Sequence, residues 1–67
     1  MNFTRREIEV LKLISEEKTN EEIAHNLNIS ISTVESHKRS MFRKNGVHSS
    51  LGLIKEALKN GYIKLDT

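Results

Sequence analysis

The apolar residues Ile8, Val10, Leu11, Leu13 and Ile14 fall at helical spacing and form a wide stripe, so the chain opens with a helix. Its start is marked by "FTRREI". Thr4 is a good N-cap, Glu7 three residues on completes a capping box, and Phe3 and Ile8 are placed to form a hydrophobic staple. A second helix opens at "KTNEEIA", with Thr19 and Glu22 as another capping box and Ile23, Ala24 and Leu27 as a short stripe. Asn28 ends it, and a helix this short leans on its neighbours for stability. The third helix starts at either Ser30 or Ser32, runs to about Asn45, and is anchored by Val34, Met41 and Phe42, with Gly46 as a left-handed terminator. A fourth starts near Ser49 or Ser50 and carries Leu51, Ile54, Ala57 and Leu58 on one stripe before stopping at Asn60 and Gly61. Tyr62, Ile63 and Leu65 remain to fold back on the bundle.

Between the second and third helices lies only "NIS", with Ile29 as an apolar plug. A short helix, a tight turn and a longer polar helix outline a helix-turn-helix within an all-α, four-helix bundle. Absence of proline, repeats and low-complexity stretches predicts a single domain over residues 1–67.

The third helix is chemically unusual. Val34, Met41 and Phe42 cluster on one side with the stem of Lys38 between them, while Thr33, Ser36, Arg39, Ser40 and Arg43 lie largely opposite. Ordinary solvated faces intersperse Glu with Lys at four-residue offsets. Here Glu35 and Arg39 make the only such pair. Small hydroxyl residues permit close approach, cations attract phosphate, and a major groove admits a helix read out by Arg, Ser, Thr and carboxylates. The helix starts at Thr19–Asn20 and Ser32–Thr33 add free backbone N–H groups suited to phosphate.

Charge sharpens this picture. The net charge of +2 hides an asymmetry. Residues 1–30 hold four cations against six carboxylates, and residues 31–67 hold seven against three. Such a swing points modestly to a polyanionic partner.

Other chemistry is excluded by what the chain lacks. With 67 residues it buries only about 60% of its unfolded surface, too little for an enclosed active-site pocket. It has no glycine-rich phosphate loop and no cysteine nucleophile or staple. His25, His37 and His48 are too far apart in sequence for a local ligand pair, so neither metal nor cofactor is expected. No apolar run approaches the roughly 18 to 20 residues needed to cross a bilayer. Aromatic residues make up 4% of the chain, too few for the stacking platforms of single-strand binders, so Phe3, Phe42 and Tyr62 read as core.

The residues "FTRREIEVLKLISEEKTNEEIAHNLNISISTVESHKRSMFRKNGV" followed by "LIKEALKNGYI" resemble the LuxR-type (GerE-like) helix-turn-helix domain that ends NarL/FixJ response regulators and quorum-sensing activators. The order "REIEVL", "TNEEIA", "IS" and "TVESH" is specific. Sigma-factor region-four domains share parts of it but generally lack "GV" and "NGYI". The resemblance implies a bacterial, cytoplasmic transcriptional regulator or response-regulator output domain, related to winged-helix proteins but without a wing. Its third helix, about residues 31–45, would enter the major groove of double-stranded DNA. Positions matching Glu35, Ser36 and Arg39 would face base edges, and those matching Thr19, Asn20, Thr33, His37 and Ser40 would lie near phosphates. Lys38, Arg43 and Lys44 would add longer-range attraction. The fourth helix would pair two domains weakly on DNA through Leu51, Ile54, Lys55 and Leu58. An N-terminal receiver domain and RNA polymerase are further partners the resemblance implies, and a membrane is not.

Three positions depart from the family pattern. Glu17 stands where Gly is frequent, so the first helix ends differently or runs longer. Asn45 stands where an apolar residue usually precedes "GV", either capping the helix through its side chain or leaving its end loosely packed. Gly52 weakens the start of the fourth helix. Two roles also stay open at this stage. Glu35 either completes a capping box with Ser32, contacts a base, or does both. His37 is either a partly buried histidine bonded to backbone or a phosphate contact. The rival to DNA binding is a helical module whose basic face meets an acidic protein.

Overall fold

The computed structural model describes residues 3–64. It contains α1 (Arg5–Ser15), α2 (Asn20–Leu27), α3 (Ile31–Asn45) and α4 (Ser50–Lys59), and no strand among the described residues. Leu65, expected to fold back on the bundle, lies outside the described residues.

Every helix starts on a hydroxyl. Thr4 Oγ1 accepts from the Glu7 N–H at 3.1 Å, while Glu7 Oε1 accepts from the Thr4 N–H at 2.9 Å. Thr19 and Glu22 repeat this reciprocal box at 3.1 and 2.8 Å. Ser30 Oγ caps α3 through the Thr33 N–H at 3.0 Å, and Ser49 Oγ caps α4 through the Gly52 N–H at 3.1 Å. Two alternatives for the third helix are thereby decided. Ser30, not Ser32, is the cap, so Glu35 lies in the second turn and forms no capping box with Ser32.

The helix ends share one device as well. Glu17, Asn28, Gly46 and Gly61 have φ of 63°, 56°, 64° and 77°. Each is followed by an N–H that returns to a carbonyl five residues earlier: Lys18 to Leu13 at 3.1 Å, Ile29 to Ala24 at 3.0 Å, Val47 to Phe42 at 3.1 Å and Tyr62 to Ala57 at 2.9 Å. This is the left-handed closure that satisfies orphan carbonyls at a helix end. Glu17 thus takes the backbone shape of a glycine, and α1 neither runs on nor ends in another way.

Val10, Leu11, Ile23, Val34, Met41 and Leu53 are fully buried and form the core, with Ala24 and Ala57 beside them. α3, like α1, touches each of the other helices, and it packs most extensively on α2. Phe3 and Tyr62 meet edge to face, ring centroids 4.9 Å apart, and so tie the two ends of the described chain together.

On α4 the expected stripe is rotated. Leu53, absent from it, is fully buried with Ala57 one turn on, whereas Leu51 is 63% exposed. Apolar residues at 51, 53, 54, 57 and 58 span an arc of about 160°, wider than the buried row, so spacing alone does not fix which edge of it faces inward. Gly52 has a packing reason. A β-carbon there would stand 3.0 Å from Val47 Cβ. Asn45 is half-buried, and its Nδ2 donates to the Met41 carbonyl at 2.9 Å, so its side chain does bond the helix end.

Candidate nucleic-acid interface

α2, the turn at Asn28–Ser30 and α3 form the helix-turn-helix. Asn28 turns the chain in a left-handed conformation, and Ile29 is half-buried against the core, which fixes where α3 begins. With Val34 and Met41 locked inward, rotation of about 100° per residue presents Ser32, Ser36, Arg39 and Arg43 along the opposite side. All four are exposed, as are Thr33 and Glu35 on the margins, while His37, Lys38 and Ser40 are half-buried.

The two flanks of α3 are tethered differently. On the side toward α2, Lys38 Nζ donates to Asn20 Oδ1 at 3.1 Å. Asn20 is the first residue of α2, so this bond brings an ammonium to that helix's N-terminus. Asn20, Glu35, Lys38, Arg39 and Phe42 border a shallow depression of about 370 Å³.

On the side toward α1, Lys44 Nζ lies 2.6 Å from Oε1 of Glu7, a carboxylate only 3% exposed. Burial alone would raise the Glu7 pKa. Hydrogen bonds from Lys44 and the Thr4 N–H, the Lys44 charge and a bond from Ser40 outweigh it, so the pKa falls below the usual 4.5. Sequence reasoning missed this role for Glu7, visible locally only as a capping residue. The resemblance gave Lys44 a long-range attraction to DNA; in the fold its ammonium, on a partly exposed side chain, is paired with Glu7.

Arg39 and Arg43 are different. The ion pairs among the described residues are Arg6–Glu9 and Lys44–Glu7. The Glu35–Arg39 pair suggested by spacing does not close, leaving one carboxylate and two guanidinium groups on the exposed face of α3. Thr19 Oγ1 is engaged by the Glu22 N–H, and Thr33 Oγ1 stands 2.8 Å from Ser30 Oγ. Ile31, 43% exposed at the first turn of α3, is an apolar group on this rim that sequence reasoning passed over.

On α4, Leu51, Ile54, Lys55 and Leu58 share one face, as i, i+3, i+4 and i+7 positions do. Ile54 and Leu58 are half-buried against the core, whereas Leu51 and Lys55 are exposed. No described helix is long and apolar enough to cross a membrane.

A helix-turn-helix with a basic, hydroxyl-rich second helix defines a class of nucleic-acid-binding domain. Comparison with known proteins narrows the class. Residues 1–57 match the family of bacterial regulatory proteins described as the luxR family. The chain belongs to that family, and its helix-turn-helix is a DNA-binding domain of transcription regulation.

The chain is 50% identical over 59 residues to an uncharacterized response regulatory protein, YgeK, of Escherichia coli (strain K12), covering 88% of this chain and 40% of that one. It is 44% identical over 63 residues to the probable transcriptional regulator ycf29 of Cyanophora paradoxa, covering 94% and 30%. It is 43% identical over 57 residues to the oxygen regulatory protein NreC of Staphylococcus aureus, covering 85% and 26%. The chain therefore spans well under half the length of these relatives.

Proposed function

We propose that this domain reads double-stranded DNA by laying α3 in the major groove, with Glu35, Ser36 and Arg39 at base edges. Ser32, Thr33, His37, Ser40 and Arg43 approach phosphates, joined by Thr19 and Asn20 at the start of α2 and by Lys38, which bonds Asn20. The observation that carries this reading is the exposed row of α3 itself. It holds two unpaired guanidinium groups among small hydroxyl residues, on a helix packed against all three others. Arg39 is suited to bidentate contact with guanine, and the serines permit close approach.

α4 pairs two such domains on DNA through Leu51, Ile54, Lys55 and Leu58. That surface is small, so the domain is a monomer in solution and dimerises only when two half-sites lie about one helical turn apart. It acts in the cytoplasm as a binding domain rather than an enzyme, as the output part of a regulator carrying an N-terminal receiver domain and engaging RNA polymerase.

Selection of bound sites from random duplex DNA tests this directly. An enriched motif with two-fold symmetry and half-sites one turn apart is the expected result. Binding to the selected site should weaken with salt, log K falling against log salt with a slope of roughly −3 to −5 at about 0.9 per phosphate. A flat titration, or no enrichment, would sink the DNA reading and favour an acidic protein partner.

A further inference from the structure

We infer that Glu7, on α1 and away from the exposed row of α3, is a positioning residue for DNA recognition, acting through Lys44; this rests on the DNA reading above.

Glu7 has two jobs at once. Its Oε1 accepts from the Thr4 N–H at 2.9 Å, closing the α1 cap, and from Lys44 Nζ at 2.6 Å. The last turn of α3 is thus held through Lys44 on one fixed point of α1. A helix tied on its α1 flank by Lys44 and on its α2 flank by the Lys38–Asn20 bond resists rolling about its axis. The grip lies in the C-terminal half of α3, where the cap at Ser30 exerts no control. Roll decides which side chains reach base edges, so the grip bears on sequence discrimination.

The same contact removes a charge from the DNA side. Lys44 flanks the exposed face of α3, where a free ammonium would contact phosphate whatever the sequence. With its charge directed onto a buried carboxylate, Lys44 contributes little to sequence-independent affinity. Glu7 therefore both orients α3 and withholds a cation from the phosphates.

Two variants of the whole domain separate this from a purely structural role. Glu7→Gln keeps an acceptor for the Thr4 N–H but releases Lys44. Lys44→Met breaks the grip and deletes the cation. Affinities for a selected duplex and a scrambled one are measured across a salt series, at a temperature where circular dichroism shows each variant folded. Both variants should narrow the preference for the selected site by about tenfold, the scale of one weakened base contact. Their salt slopes should differ. Glu7→Gln should steepen the slope by about 0.9, the value of one added phosphate contact, while Lys44→Met should match wild type.

The inference is overturned if Lys44→Met flattens the slope by that amount and Glu7→Gln leaves it unchanged. Lys44 would then be an ordinary phosphate contact. It is equally overturned if both variants keep the full site preference. If Glu7→Gln does not fold, Lys44→Met alone still decides through its slope and site preference. Wild type failing to bind either duplex in a salt-dependent way would overturn the DNA reading, and this inference with it.

Discussion

Lys44 Nζ meets Glu7 Oε1 at 2.6 Å, joining the last turn of α3 to the first turn of α1 across 37 positions of sequence. Because Lys44, the Thr4 N–H and Ser40 hold the Glu7 carboxylate below its usual pKa of 4.5, its ionised form stabilises the folded state. Glu22, whose pKa is lowered chiefly by the Thr19 backbone N–H, acts in the same direction. A depressed folded-state pKa gives stability that is fully present above the unfolded value and is lost as pH falls through the folded one.

Urea unfolding should accordingly be level near neutrality and weaken once pH drops below about 4.5. Glu7→Gln should be less stable at pH 7 by about 1 to 3 kcal/mol, the range for a lost charge-assisted hydrogen bond. It should also show a shallower acid decline, because one of the titrating groups is gone. An acid decline identical to wild type would mean that Glu7 does not contribute to it.

Glu17 sits at φ 63°. For an L-residue the left-handed region costs roughly 1 to 2 kcal/mol, because the β-carbon crowds the following carbonyl. Glycine escapes that cost but loses more backbone freedom on folding, an offset of about 0.4 to 1 kcal/mol. Glu17→Gly should therefore stabilise the domain by about 0.5 to 1 kcal/mol. Glu17→Ala should do little, since alanine bears the same crowding. Thermal unfolding of the two variants checks this, and equal gains from both would point away from the backbone.

Gly52 presents the opposite case. Alanine in a helix interior is worth about 1 kcal/mol over glycine. Here the added carbon would sit 3.0 Å from Val47 Cβ and 3.4 Å from Val47 Cγ1. A β-carbon moves only with its backbone, so α4 or the Gly46–Val47 turn must shift. Overpacking of this kind costs about 1 to 3 kcal/mol, so Gly52→Ala should destabilise on balance by about 1 kcal/mol. A rise in melting temperature would show that α4 retreats without strain.

The features legible in the sequence are local. Thr4–Glu7 and Thr19–Glu22 announce helix starts because a cap is a short-range bond, and Gly46 and Asn28 announce ends for the same reason. For α3 and α4 the sequence narrowed the cap to two serines each, and the fold selects Ser30 and Ser49. The row of Ser36, Arg39 and Arg43 was legible because helical rotation fixes what lies opposite Val34 and Met41. What escaped depended on two segments meeting in space. Lys38 with Asn20, Lys44 with Glu7 and Gly52 with Val47 each require the packing of the bundle before they exist. The rotation of α4 escaped for a related reason, as five apolar residues offered two possible inward rows and only contact with α1 and α3 selects Leu53 and Ala57.

Glu35 is the carboxylate on the exposed margin of a helix proposed to face a polyanion. It belongs to no capping box, since Ser30 is the cap, and it closes no ion pair with Arg39. In the second turn it gains little from the helix dipole, an effect of about 0.3 to 1 kcal/mol that fades beyond the first turn. Its contribution to the fold is therefore small. On DNA its charge repels phosphate unless it accepts a hydrogen bond from a cytosine N4 amine. Such a residue opposes binding everywhere except at the right base pair. Glu35→Gln should thus leave thermal stability within about 0.5 kcal/mol of wild type, as at most surface sites. It should tighten binding to scrambled DNA and reduce the preference for the selected site by about 1 to 3 kcal/mol, the range for one good base contact. Uniform tightening at both duplexes, with the preference intact, would mean that Glu35 supplies only a repulsive charge. Paired affinities for the two duplexes at a single salt concentration separate these outcomes.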